Sequence, residues 1–162
     1  MKIHPGWVAT ALLIFVVLGC NLSKNSNNSN NSNKNSNANK ATPLPTRNPN
    51  ADVYVTKIYM AKDANGKPGV ETTSFVPGDR TIHCVISLNK AKKGTQVRFI
   101  WKAMDVAGTQ DETIKTIDYT TNSFENKVRG HLVLPKDWPT GKYRVEVYIN
   151  DGLDKTIDYM IE

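Results

Sequence analysis

Thr95-Gln96-Val97-Arg98-Phe99-Ile100-Trp101-Lys102-Ala103-Met104 alternates apolar and polar residues along its length. A strand sends successive side chains to opposite faces, so Val97, Phe99, Trp101 and Ala103 share one face and Arg98, Ile100 and Lys102 the other. The same period recurs on both sides of this run. Thr81 to Leu88 places Ile82, Cys84, Ile86 and Leu88 together. Lys127 to Leu134 groups Val128, Leu132 and Leu134, and Lys142 to Ile149 groups Tyr143, Val145, Val147 and Ile149. Lys155 to Ile161 groups Ile157, Tyr159 and Ile161. Val53 to Met60 and the shorter, more polar Thr113 to Tyr119 complete seven runs. No window carries a convincing 3.6-residue period. Seven short strands divided by Gly, Pro, Asn and Asp predict an all-β fold, a single seven-stranded antiparallel sandwich.

The connections agree with that reading. Asn150-Asp151-Gly152 is a hairpin signal, because Asn, Asp and Gly tolerate positive φ. Ala64-Asn65-Gly66-Lys67-Pro68-Gly69 reads as a turn or loop. In Trp138-Pro139-Thr140-Gly141-Lys142-Tyr143, Pro139 and Gly141 make a tight turn and Trp138 is placed to cap the core. This Trp-Pro-x-Gly-x-Tyr leading into an alternating strand resembles the start of the sixth strand in immunoglobulin-like and fibronectin-III-like domains. Trp101 resembles their core tryptophan. The resemblance implies an immunoglobulin-like sandwich over residues 51–162, with its second and fifth strands adjacent in one sheet. The inter-sheet disulfide of antibody domains is missing, since the second run has Cys84 and the sixth has no cysteine. Cys84 in an apolar alternation reads as a small buried hydrophobe. The pentapeptide Lys115-Thr116-Ile117-Asp118-Tyr119 recurs as Lys155-Thr156-Ile157-Asp158-Tyr159. Two copies with unlike flanks reflect shared strand constraints rather than a repeat architecture.

Upstream of the domain the composition changes. Residues 21–50 are rich in Asn, Ser and Lys, then Pro43, Pro45 and Pro49, and contain no acidic residue. Almost nothing there can bury apolar surface, so residues 20–50 are expected to form a disordered tether beginning at Cys20. Lys2 followed by the apolar run Trp7 to Leu18 has the charge and length of a signal peptide and is too short to span a bilayer. Leu18-Gly19-Cys20, followed by polar Asn21, resembles the lipobox of bacterial lipoproteins. That resemblance implies cleavage of residues 1–19 and acylation of Cys20. Two or more acyl chains at about 0.8 kcal/mol per buried CH₂ hold a protein stably on a membrane. Asn21 is not the Asp of inner-membrane retention, so the resemblance favours an outer-membrane destination in a Gram-negative cell.

Of the net charge of +6, all but one unit lies in these first fifty residues. Residues 51–162 hold 16 Lys and Arg against 15 Asp and Glu. A nucleic-acid footprint requires cations clustered on a folded face, so nucleic-acid binding is not expected.

Catalytic and cofactor motifs are absent. No phosphate loop, paired-cysteine zinc spacing or EF-hand pattern occurs, and no cofactor is implied. His83 and Cys84 are strand neighbours, pointing to opposite faces, and form no dyad. If Ile82 and Cys84 face inward, His83 faces out, and His131 faces out by the same logic. On adjacent strands they would lie side by side, two candidate ligands of a weak Zn²⁺ or Cu²⁺ site. On the other sheet, Ile100, Tyr148 and Met160 are expected to form an outward apolar strip bordered by Arg98 and Arg144, a candidate partner-binding face. The expected function is a non-catalytic sandwich, membrane-anchored through Cys20, that binds an envelope protein or a polysaccharide. The alternative is a structural or accessory subunit of a larger envelope assembly, and behind it a weak metal-binding domain built on His83 and His131.

Overall fold

The computed structural model describes residues 47–162. The expected signal peptide, the expected lipidation site Cys20 and the expected tether up to residue 46 lie outside the described residues. Among those described there are nine strands: β1 (Val55–Ala64), β2 (Lys67–Glu71), β3 (Ser74–Phe75), β4 (Thr81–Leu88), β5 (Gln96–Val106), β6 (Glu112–Thr120), β7 (Lys127–Val133), β8 (Gly141–Ile149) and β9 (Gly152–Ile161). They form two facing sheets, ordered β2-β1-β4-β7 and β3-β9-β8-β5-β6. The second and fifth expected strands, β4 and β7, are adjacent, as an immunoglobulin-like sandwich requires.

The alternating residues supply the core. Ile82, Cys84 and Ile86 of β4 face Phe99 and Trp101 of β5 and Val145 and Val147 of β8, all fully buried. Each such side chain contributes about 1.5–3 kcal/mol relative to exposure. Tyr159 organises the aromatic centre, edge-on to Trp101 at 6.1 Å and to Phe75 at 5.7 Å, and stacked on Tyr143 at 5.2 Å. Trp138 caps one end, edge-on to Tyr143 at 5.4 Å, and the Tyr143 hydroxyl donates to the Pro139 carbonyl at 2.6 Å. Cys84 is unbridged, and burial alone pushes its thiol pKa far up. The domain is held by packing.

Nine strands replace the seven expected, and both additions have a local cause. Of the expected turn or loop from Ala64 to Gly69, only Asn65 and Gly66 are a turn, and the rest is strand. β1 runs on to Ala64, and Asn65 and Gly66 (φ 56° and 78°) make a two-residue turn into β2. Two consecutive left-handed residues match the twist of a hairpin, and Asn-Gly provides them at least cost. Ser74 and Phe75 form a two-residue strand, too short to show a period. It pairs with β9, the one parallel pairing in an otherwise antiparallel fold. The Asn150-Asp151 turn (φ 48° and 65°) joins β8 to β9 as expected.

Candidate functional site

The outer face of the five-stranded sheet is covered by paired charge. Arg98 donates to Asp118 at 2.7 Å and to Asp151 at 3.0 Å. Arg144 clasps Asp158 with two bonds, of 2.6 and 3.0 Å. Lys102 lies 2.5 Å from Asp111 and 3.5 Å from Glu146. Hydrogen bonds to Asp118, Asp158 and Asp111 respectively raise the pKa values of these three cations, holding their charge in place.

Register decides the expected strip. Ile100 lies opposite Glu146, and Tyr148 sits two residues along β8, so these half-buried side chains are diagonal neighbours. Met160 lies opposite Lys142, six residues from Tyr148 along β8, or about 20 Å. The Arg144–Asp158 pair stands between them. The continuous strip therefore does not form. Ile100 and Tyr148 make one small apolar place, while Met160, 42% exposed, lines a separate hollow with Met104.

The outer face of the four-stranded sheet is built differently. His83 and His131 are register partners, with ring centroids 5.7 Å apart. They do not form a pair of surface imidazoles. His131 is exposed, whereas His83 is only 1% exposed and Val85 beside it is buried as well. The β1–β2 hairpin covers them. A bulge between Ala61 and Asp63 bends β1, and Arg129 of β7 reaches across β4 to the Gly66 carbonyl at 3.4 Å. His83 Nε2 donates to Asp63 Oδ1 at 2.7 Å, and the Gly66 N–H donates to Asp63 Oδ2 at 3.1 Å. These two bonds, the His83 bond first, hold the Asp63 carboxyl below its ordinary pKa. His83 Nδ1 is buried without a partner. Among the described residues no three His, Cys, Asp or Glu side chains are grouped to hold a metal ion.

Beside this face the sandwich is open. β7 ends one sheet and β6 the other, and a groove of about 660 Å³ runs along both edges. Val85 and Tyr59 lie on its β7 side, and Ile117 and Tyr119 on its β6 side. Lys127, Arg129 and His131 stand exposed along β7. Neither Lys127 nor Arg129 forms an ion pair among the described residues, unlike Arg98, Lys102 and Arg144 on the opposite face. Glu125 accepts from the Tyr119 hydroxyl at 2.7 Å and from the Asn122 N–H at 3.1 Å. Next to it, Phe124 is 97% exposed. Periodicity could not find this residue, because it lies in a turn. The available signal was a lone aromatic among polar residues, Asn122-Ser123-Phe124-Glu125-Asn126.

No protein-family model matches the chain, and no curated protein matches it in sequence. Among solved structures it is similar to an immunoglobulin-like protein from Pseudomonas aeruginosa, at 11% identity and a TM-score of 0.51, over 71% of this chain and 100% of that one. A second similarity is to an alkylpurine DNA glycosylase of Pseudomonas fluorescens bound to DNA containing an abasic-site analogue. It has 12% identity and a TM-score of 0.44, and spans 69% of this chain but only 31% of that one. Together with the sheet order, the first likeness gives the domain an immunoglobulin-like fold.

Proposed function

We propose that this chain is an exported lipoprotein, anchored to a membrane through acylated Cys20, whose immunoglobulin-like domain is a non-catalytic binding module for an envelope protein or polymer. The signal-like segment ending in Leu18-Gly19-Cys20 supports the anchor. The observation that carries the binding role is the groove along β7. It combines an apolar floor, cations without ion-pair partners among the described residues and a phenylalanine almost wholly in solvent. Burying a large apolar side chain is worth about 1.5–3 kcal/mol, which Phe124 forgoes in the free domain. Binding sites commonly pair such exposed apolar groups with a polar rim.

Two measurements test the proposal. The mature chain is expected to begin at Cys20 and to carry the mass of its acyl groups, and Cys20→Ser should release it from the membrane fraction. A mature mass that still includes residues 1–19 rules out the anchor. Affinity capture with the full-length protein from detergent-solubilised envelope should yield one stoichiometric protein or polymer. Ile100→Ser combined with Tyr148→Ser, and Lys127→Glu combined with Arg129→Glu, then locate the face. Capture of nothing, by wild type and variants alike, overturns the binding role.

A further inference from the structure

We propose that β7 is a docking edge for an extended segment of a partner protein, which adds to the four-stranded sheet as a fifth strand with acidic residues outward and apolar residues inward. This rests on the binding-module reading and names its partner chemistry. An edge strand offers a row of unpaired N–H and C=O groups to any strand laid beside it. β7 is such an edge, seven residues long from Lys127 to Val133. The facing strand β6 contributes Ile117 and Tyr119, half-buried beside β7, where they line the groove. A strand added to β7 would place its inward side chains over Ile117 and Tyr119. Its outward side chains would lie beside Lys127, Arg129 and His131.

Charge selects the occupant. Opposite charges across a strand pair attract and like charges repel, so a segment set against these residues should be acidic on that face. The chain's own upstream segment does not fit, since residues 21–50 contain no Asp or Glu and few apolar residues. A second copy meeting β7 to β7 would oppose cation to cation. Phe124 stands at the start of β7, where Glu125 and Lys127 line both the groove and the hollow beside it, and extends the contact past the strand end.

The test uses the full-length protein in mild detergent and an acetylated, amidated peptide of about eight alternating glutamate and valine residues, a typical strand length. Binding is expected to slow amide-hydrogen exchange along Lys127–Val133 and to leave the β2 edge unchanged. Lys127→Glu combined with Arg129→Glu should weaken the peptide's Kd about tenfold or more, and a lysine–valine peptide should bind that variant better than the wild type. Phe124→Ser should weaken binding with an unchanged melting temperature. Protection at β2 or β6 in place of β7, affinity indifferent to the charge reversal, or no binding at millimolar peptide would each overturn strand addition. If envelope capture meanwhile survives the charge reversal, or yields a polysaccharide that leaves β7 amides unprotected, strand addition fails and the binding-module reading stands.

Discussion

The two outer faces of this sandwich start from the same strand alternation and end differently. On the five-stranded sheet each outward Arg or Lys of β5, and Arg144 of β8, meets a carboxylate on a neighbouring strand, and the apolar residues between them are half covered. On the four-stranded sheet the middle of the face is buried beneath a bent hairpin, and the β7 margin holds cations with no carboxylate partner among the described residues. Apart from Lys142, one face pairs its strand cations among the described residues, and the other has capacity left over. Alternation tells which way a side chain points, but not whether another element then covers it.

The largest expected effect probes how tightly the open flank is built. Gly130 of β7 faces the core, and a Cβ there would come within 2.9 Å of the buried Phe99 ring. Overpacking a rigid core position costs typically about 1–3 kcal/mol. Gly130→Ala is therefore expected to lower the melting temperature by several degrees, about 4 °C per kcal/mol in a domain of this size. Thr116→Ala, exposed on β6, should change it by much less. An unchanged melt for Gly130→Ala would mean that Phe99 yields and that the groove wall is soft, which would weaken the contrast between the faces.

Most of the fold was legible because its signals are local and repeated. The rows Val97-Phe99-Trp101 and Val145-Val147-Ile149 each declare a face without reference to any other strand, and both lie in the core. The turn at Asn150-Asp151 was legible for the same reason, while the equally informative Asn65-Gly66 was read only as part of a six-residue turn or loop, not as a hairpin between two strands. That omission hid the fate of His83. Facing outward follows from Ile82 and Cys84, but burial follows from a hairpin whose bend depends on a bulge near Asp63 and a bond from Arg129, some sixty residues on. The Ile100–Tyr148–Met160 strip failed for a related reason. Pattern gives the face, whereas register, which fixes the distance along it, depends on the Asn150-Asp151 turn and the bulge beside Tyr148. The groove needs two sheet edges brought together, which no single run of residues encodes.

The next effect concerns the hairpin clamp. Asp63 is held below its ordinary pKa of 3.8, chiefly by the His83 hydrogen bond. A lowered carboxylate pKa adds stability above the ordinary value, and that stability is lost as pH falls through the lower folded value. Asp63→Asn is therefore expected to be less stable than wild type near neutral pH, with the difference shrinking as the medium is acidified below about 4. Urea midpoints of both proteins across that range would show it. A difference that stays constant with pH would mean that the amide loses shape or a hydrogen bond and that the carboxylate's charge contributes nothing, leaving burial alone to hold the hairpin over β4.

The smallest effect lies on the satisfied face and explains the recurring pentapeptide. Lys-Thr-Ile-Asp-Tyr places Asp118 on β6 opposite Arg98 of β5, and Asp158 on β9 opposite Arg144 of β8. In each copy the isoleucine and tyrosine turn inward, so the motif serves the same purpose on either side of the central β5–β8 pair. The two ion pairs are not equal. Arg144 is largely shielded and grips one carboxylate with two bonds, whereas Arg98 is more exposed and divides its bonds between Asp118 and Asp151. A fork held by one partner loses less freedom per bond than one shared between two exposed acids. Double-mutant cycles should therefore give Arg144–Asp158 the larger coupling, though still within about 1 kcal/mol for pairs this close to solvent. Raising the salt towards 1 M, where the screening length falls to about 3 Å, should erase the Arg98–Asp118 coupling first. Equal couplings with equal salt dependence would mean that solvent, not geometry, sets the strength of both pairs. The self-satisfied face would then be no more rigid than the open one.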